Sequence, residues 1–155
     1  MTHILFGTES GNSEMAADDI ASAMRQHGKS MQVVPMEDAD VRGLSAHEFV
    51  VVVTSTYGDG ELPETTQPFF DAMQSKRPNL SGLRFAAFGL GDSAYETYGN
   101  GIDKVTELMT LLGATQVGAT GRHDAAKSEP LSDVAMRWAS SLIPALPTNA
   151  RTEVQ

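Results

Sequence analysis

At 155 residues the chain has the size of one domain, and the absence of cysteine excludes disulfides, thiolate metal sites and cysteine nucleophiles. An apolar share of 41% and a charged share of 20% fit a folded chain rather than a disordered one. The formal charge of −9 disfavours nucleic acid and anionic membrane and favours a basic partner.

The first apolar run, Ile4-Leu5-Phe6, is too short for a signal-peptide core, and no run approaches a membrane span. A cytoplasmic protein is the expectation. His3 to Phe6 reads as a buried strand that runs into a loop, Gly7-Thr8-Glu9-Ser10-Gly11-Asn12-Ser13. Ala17, Ile20, Ala21 and Met24 then fall on one helical face, with Gly28 as a stop. Met31 to Pro35 reads as a second strand, and Phe49 to Val53 as a third, apolar on both faces as a central parallel strand must be. Ser55-Thr56-Tyr57-Gly58-Asp59-Gly60 follows as a loop. Thr66 and Pro68 look like the cap and an early position of a helix that turns Phe69, Phe70 and Met73 inward. Arg84 to Gly89 is a fourth strand, leading into Leu90-Gly91-Asp92-Ser93-Ala94-Tyr95. Ile102, Val105, Met109 and Leu112 mark another helix, Thr115 to Ala119 a weaker fifth strand, and Leu131, Val134, Ala135, Trp138 and Leu142 the last helix. Residues 1–146 are expected to form one domain, and 147–155, polar and aperiodic, a flexible tail.

Alternating strands and helices imply an α/β fold, a three-layer sandwich around a five-stranded parallel sheet. In the order 2-1-3-4-5, strands one, three and four are neighbours, so the loops after them meet at one rim, where such sheets bind ligands.

The first of these loops gathers Thr8, Ser10, Asn12 and Ser13 around Gly11 at a helix start, a setting in which N–H and O–H groups can hold a phosphate. The same residues would also serve as an ordinary N-cap cluster. The loop lacks the Gly-Lys-Ser/Thr ending of a P-loop and the Gly-x-Gly-x-x-Gly of a dinucleotide fold. The other two loops hold all three tyrosines, Tyr57, Tyr95 and Tyr98, which suit a flat aromatic ligand, although tyrosines also frequent rims for their half-wet character. The partial Gly-x-Gly-x-x-Ala from Gly89 follows the fourth strand, not the first, and does not read as a nicotinamide site. No histidine is assigned to metal or acid–base work. A receiver-like domain would need an aspartate where the third strand ends in Thr54-Ser55.

Together the three loops resemble those of the flavodoxin family, over about residues 2–146, and most closely the MioC-type small flavodoxins and the FMN domains of diflavin reductases. The resemblance implies FMN as cofactor and no catalytic residues or metal. It places the phosphate on Thr8, Glu9, Ser10, Gly11, Asn12 and Ser13. It places the ring between Tyr57 and Tyr95, with Ser55, Thr56, Gly58, Asp59, Gly60, Leu90, Gly91, Asp92, Tyr98 and Gly99 around it. The Gly58–Asp59 peptide would be the redox-sensitive one. The implied role is a monomeric short-chain electron carrier working between a basic reductase and an electron acceptor. The alternative is an FMN-dependent NAD(P)H:quinone oxidoreductase. One departure stands out: Gly121-Arg122-His123-Asp124 replaces the Asp-rich loop expected after the fifth strand.

Overall fold

The apolar run of the third strand leaves no face for water, so that strand has to lie inside a sheet covered on both sides. A computed structural model, which describes residues 2–8, 11–56, 61–92, 94 and 99–145, has this arrangement. The strands are β1 (Thr2–Gly7), β2 (Met31–Pro35), β3 (Phe49–Ser55), β4 (Arg84–Gly91), β5 (Thr115–Gln116) and β6 (Gly121–Asp124). The helices are α1 (Asn12–Arg25), α2 (Gln67–Lys76), α3 (Asn100–Leu111) and α4 (Leu131–Leu142). All pairings are parallel, in the order β2-β1-β3-β4-β5, with β6 also paired to β4.

Alternation along the strands divides the core in two. Ile4, Phe6, Val51, Val53 and Phe88 face α1 and α4, meeting Ile20, Met24, Ala135 and Ala139. Leu5, Val50, Val52, Phe85 and Ala87 face α2 and α3, meeting Phe69, Met73, Ile102 and Val105. Val50 to Val53 are wholly inaccessible. At about 1.5–3 kcal/mol for each large apolar side chain buried, this central strand fixes the sheet against slippage.

The fifth strand differs from the expected Thr115–Ala119. It comes in two short pieces, and Gly121–Asp124, expected as loop, is the second of them. Val117 still donates its N–H to the Phe85 carbonyl at 2.7 Å, then the chain leaves the sheet and returns at Gly121 opposite Phe88. Two further segments, Met36–Asp38 and Val41–Ala46, form 3-10 turns that bury Met36, Val41 and Leu44.

The ladders end at Gly7 opposite Thr54, Ser55 opposite Leu90, and Gly91 opposite Asp124. These carboxyl ends mark one rim of the sheet, with the starts of α1 and α3 beside it.

Candidate functional site

At the rim, α1 begins without a side-chain cap. Its N-cap residue is Gly11, held at φ 93°, a left-handed conformation that favours glycine, and it offers no side chain to cap the first turn. The Gly11 N–H is already used: it donates to Thr8 Oγ1 at 2.7 Å. The amides at the start of α1 are the groups that suit an anion, with the helix dipole behind them. Ser13, in the same turn, is wholly buried, and its Oγ has no hydrogen-bond partner. A buried hydroxyl left in this state costs about 1–3 kcal/mol, which a bound anion would relieve. Of the residues that could form an ordinary N-cap cluster, Thr8 takes the Gly11 N–H, Ser13 Oγ is without a partner, and Ser10 lies outside the described residues.

The second and third loops are joined where they leave the sheet. Thr56 donates its N–H to the Leu90 carbonyl at 3.0 Å and accepts the Gly101 N–H on Oγ1 at 2.8 Å. A Cβ at Gly101 would overlap the Ser55 carbonyl oxygen, so only glycine lets α3 approach β3 this closely. The Asp92 carboxylate accepts the Ala94 N–H at 2.9 Å, a local turn. The Gly91 carbonyl accepts the Ala125 N–H at 2.8 Å, tying the third loop to the end of β6. The structure thus gathers Ser55, Thr56, Leu90, Gly91 and Gly99 along one stretch of rim. Glu9, Ser10, Tyr57, Gly58, Asp59, Gly60, Tyr95 and Tyr98 lie outside the described residues.

Residues to which the sequence assigned no part in the site hold these loops. The wholly buried hydroxyls of Thr54 and Thr66 share a hydrogen bond of 2.7 Å. Thr66 occupies the N-cap position of α2, as expected, but its hydroxyl turns to Thr54 and caps nothing. Arg122 on β6 lies over Gly99 and pairs with Asp103 of α3 at 2.7 Å. Beyond β6, Arg122, His123, Lys127, Glu129 and Arg137 contribute to the lining of a hollow of about 440 Å³. There Arg137 pairs with Glu129 and holds its carboxyl below the usual range through a hydrogen bond. His3 and His47, which read as scattered, bring their ring centroids within 4.4 Å. Burial, then the neighbouring His47, pushes the His3 imidazole below its usual 6.5. No cluster of three metal-ligating side chains occurs among the described residues.

A profile of the flavodoxin family matches residues 4–138. The chain belongs to the flavodoxin family. It is 30% identical over 140 residues to protein MioC of Escherichia coli O157:H7, covering 90% of this chain and 94% of that one. It is 36% identical over 123 residues to the mitochondrial NADP(+) pyruvate dehydrogenase of Euglena gracilis, of which it spans 7%, with 78% of this chain aligned. Among solved structures, a cysteine-to-serine mutant of the flavodoxin from Pseudomonas aeruginosa superposes with a TM-score of 0.84 at 33% identity, covering 94% of this chain and 97% of the other.

FMN is the cofactor of flavodoxins, and the fold is one for electron transfer. The described residues fit it: an uncapped helix start, a left-handed Gly11 and an unpartnered buried hydroxyl stand together where a phosphate is to be held. No helix among the described residues is long and apolar enough to cross a membrane.

Proposed function

We propose that this flavodoxin is a short-chain electron carrier that takes single electrons from a reductase and delivers them to an acceptor protein. FMN would supply the redox-active ring; the chain would bind it, orient it and shield it from water. On this reading Thr8, Glu9, Ser10, Gly11, Asn12 and Ser13 hold the phosphate. Tyr57 and Tyr95 enclose the ring, and Ser55, Thr56, Gly58, Asp59, Gly60, Leu90, Gly91, Asp92, Tyr98 and Gly99 line its edges. Residues 1–146 make up the working unit, a cytoplasmic monomer.

The observation that carries the proposal is the unpartnered Ser13 hydroxyl under an uncapped helix start, at the rim where the second and third loops also leave the sheet. The charge of −9 supports a partner with a basic docking face. The relatives include an NADPH-dependent diflavin oxidoreductase of Cryptococcus neoformans, 31% identical over 138 residues, of which this chain spans 22%.

The test is a titration of the apoprotein with FMN, followed by a redox titration of the loaded protein in visible light. Tight binding with two resolved one-electron potentials is expected, together with negligible NAD(P)H oxidation in the absence of a reductase. Steady NAD(P)H turnover by the protein alone would support the quinone-reductase alternative and overturn the carrier. Tyr95→Ala is expected to weaken FMN by about tenfold, the order of one lost aromatic stack.

A further inference from the structure

Beyond Gly7 and Thr54 the β1–β3 ladder stops, and Thr8, the residue after β1, joins no strand pairing among the described residues. One hydroxyl takes the place of such a pairing. Thr65 Oγ1 accepts the Thr8 N–H at 2.7 Å and donates to the Thr8 carbonyl at 3.0 Å. Both polar groups of the Thr8 backbone are thereby satisfied from a residue 57 positions away. The Thr8 side chain is left to accept the Gly11 N–H, the bond that closes the loop ahead of α1. The neighbouring Thr66 fastens the same segment to Thr54, and a Cβ at Gly7 would overlap the Thr66 hydroxyl. Thr65 and Thr66 are thus held against the end of β1 and the start of the phosphate loop, and in the chain they close the connection that contains Tyr57.

We propose that Thr65 is a positioning residue that keeps the phosphate cradle in its binding shape before the cofactor arrives. The proposal rests on the FMN reading above. Among the described residues the Thr65 hydroxyl bonds to the Thr8 backbone, so its effect on the ligand runs through that residue. Without its hydroxyl, the Thr8 N–H and carbonyl lose their protein partner, and the loop samples shapes in which the Gly11 bond is broken. Apparent affinity falls in proportion to the fraction of apoprotein that retains the cradle. The loss is confined to the phosphate end, so a flavin without a phosphate does not feel it.

The experiment compares FMN with riboflavin as ligands of the apoprotein, by quenching of flavin fluorescence, in the wild type, Thr65→Val and Thr65→Ser. Thr65→Val is expected to weaken FMN by about tenfold, the order of two lost hydrogen bonds partly replaced by water, while riboflavin changes by less than about twofold. Thr65→Ser, which keeps the hydroxyl, restores FMN binding. Thr65→Ala supplies the same comparison if the valine variant does not fold. FMN affinity unchanged by loss of the hydroxyl would overturn the proposal. So would a fall in riboflavin affinity equal to that of FMN, which would mark a general loosening of the fold. Failure of the wild type to bind FMN, in contrast, would bring down the cofactor reading itself and this proposal with it.

Discussion

A buried serine hydroxyl with nothing to bond to is a standing cost to the apoprotein, and Ser13 is such a residue. Ser13→Ala removes both the cost and the donor. The apoprotein is therefore expected to gain on the order of 1 kcal/mol in stability, while FMN binds several-fold more weakly. Urea unfolding of the apoprotein beside a flavin titration checks both signs, and a variant weaker in both would mean that the hydroxyl supports the fold instead. Ser13 was legible in the sequence because serine beside a glycine at a strand-to-helix junction already suggests anion binding. The roles of Thr54 and Thr65, and the turn of the Thr66 hydroxyl away from its helix, were not. A lone threonine at a strand end or in a connection carries no periodic signal, and the contact between Thr65 and Thr8 exists only once the sheet brings residues so far apart in the chain together.

At the level of elements, the four helices and first four strands were readable because each repeats apolar residues at its own period over several turns or pleats. The fifth strand was readable in its place and first residues but not in its second piece. Thr115–Gln116 offers two polar residues, and Gly121–Asp124 has no large apolar side chain, so its strand character comes from the β4 backbone alone. The start of α3 depends on its close approach to β3. Gly101→Ala forces a methyl group onto the Ser55 carbonyl, backbone that cannot swing aside, and is expected to cost about 1–3 kcal/mol by urea unfolding. A neutral result would mean that α3 can shift along the sheet. The opening of β1 carries a different sensitivity. Burial and His47 depress the His3 imidazole in the folded state, so the unfolded chain binds more protons below the usual 6.5. Stability is therefore expected to be fully present above that value and to fall as pH drops through 6.5 toward the depressed folded value. His47→Gln should flatten that part of the pH–stability curve in part, since burial of His3 remains, and an unaltered slope would clear His47 of any share.

Over the whole molecule, the three-layer order followed from alternating patterns and the right-handed crossover rule, while the charge distribution did not. The chain is strongly acidic, yet Arg122, His123, Lys127 and Arg137 line one hollow beyond β6 together with Asp124 and Glu129, where the charges of both signs nearly balance. Reaction with the small anionic oxidant ferricyanide is expected to speed up with added salt, and with a cationic cobalt(III) ammine to slow down, as overall charge dictates. Lys127→Glu should deepen the ferricyanide dependence if the hollow borders the electron exit. Equal salt slopes for the two oxidants would show that net charge does not govern access. The phosphate loop adds a consequence of its own. From Gly7 to Ser13 it contains no lysine or arginine, and α1 offers amides and a hydroxyl instead. Counterions shield full charges far better than they shield dipoles seated in a dry wall. The holoprotein should accordingly keep its colour through dialysis against about 1 M sodium chloride, a brine that strips ligands held by exposed ion pairs.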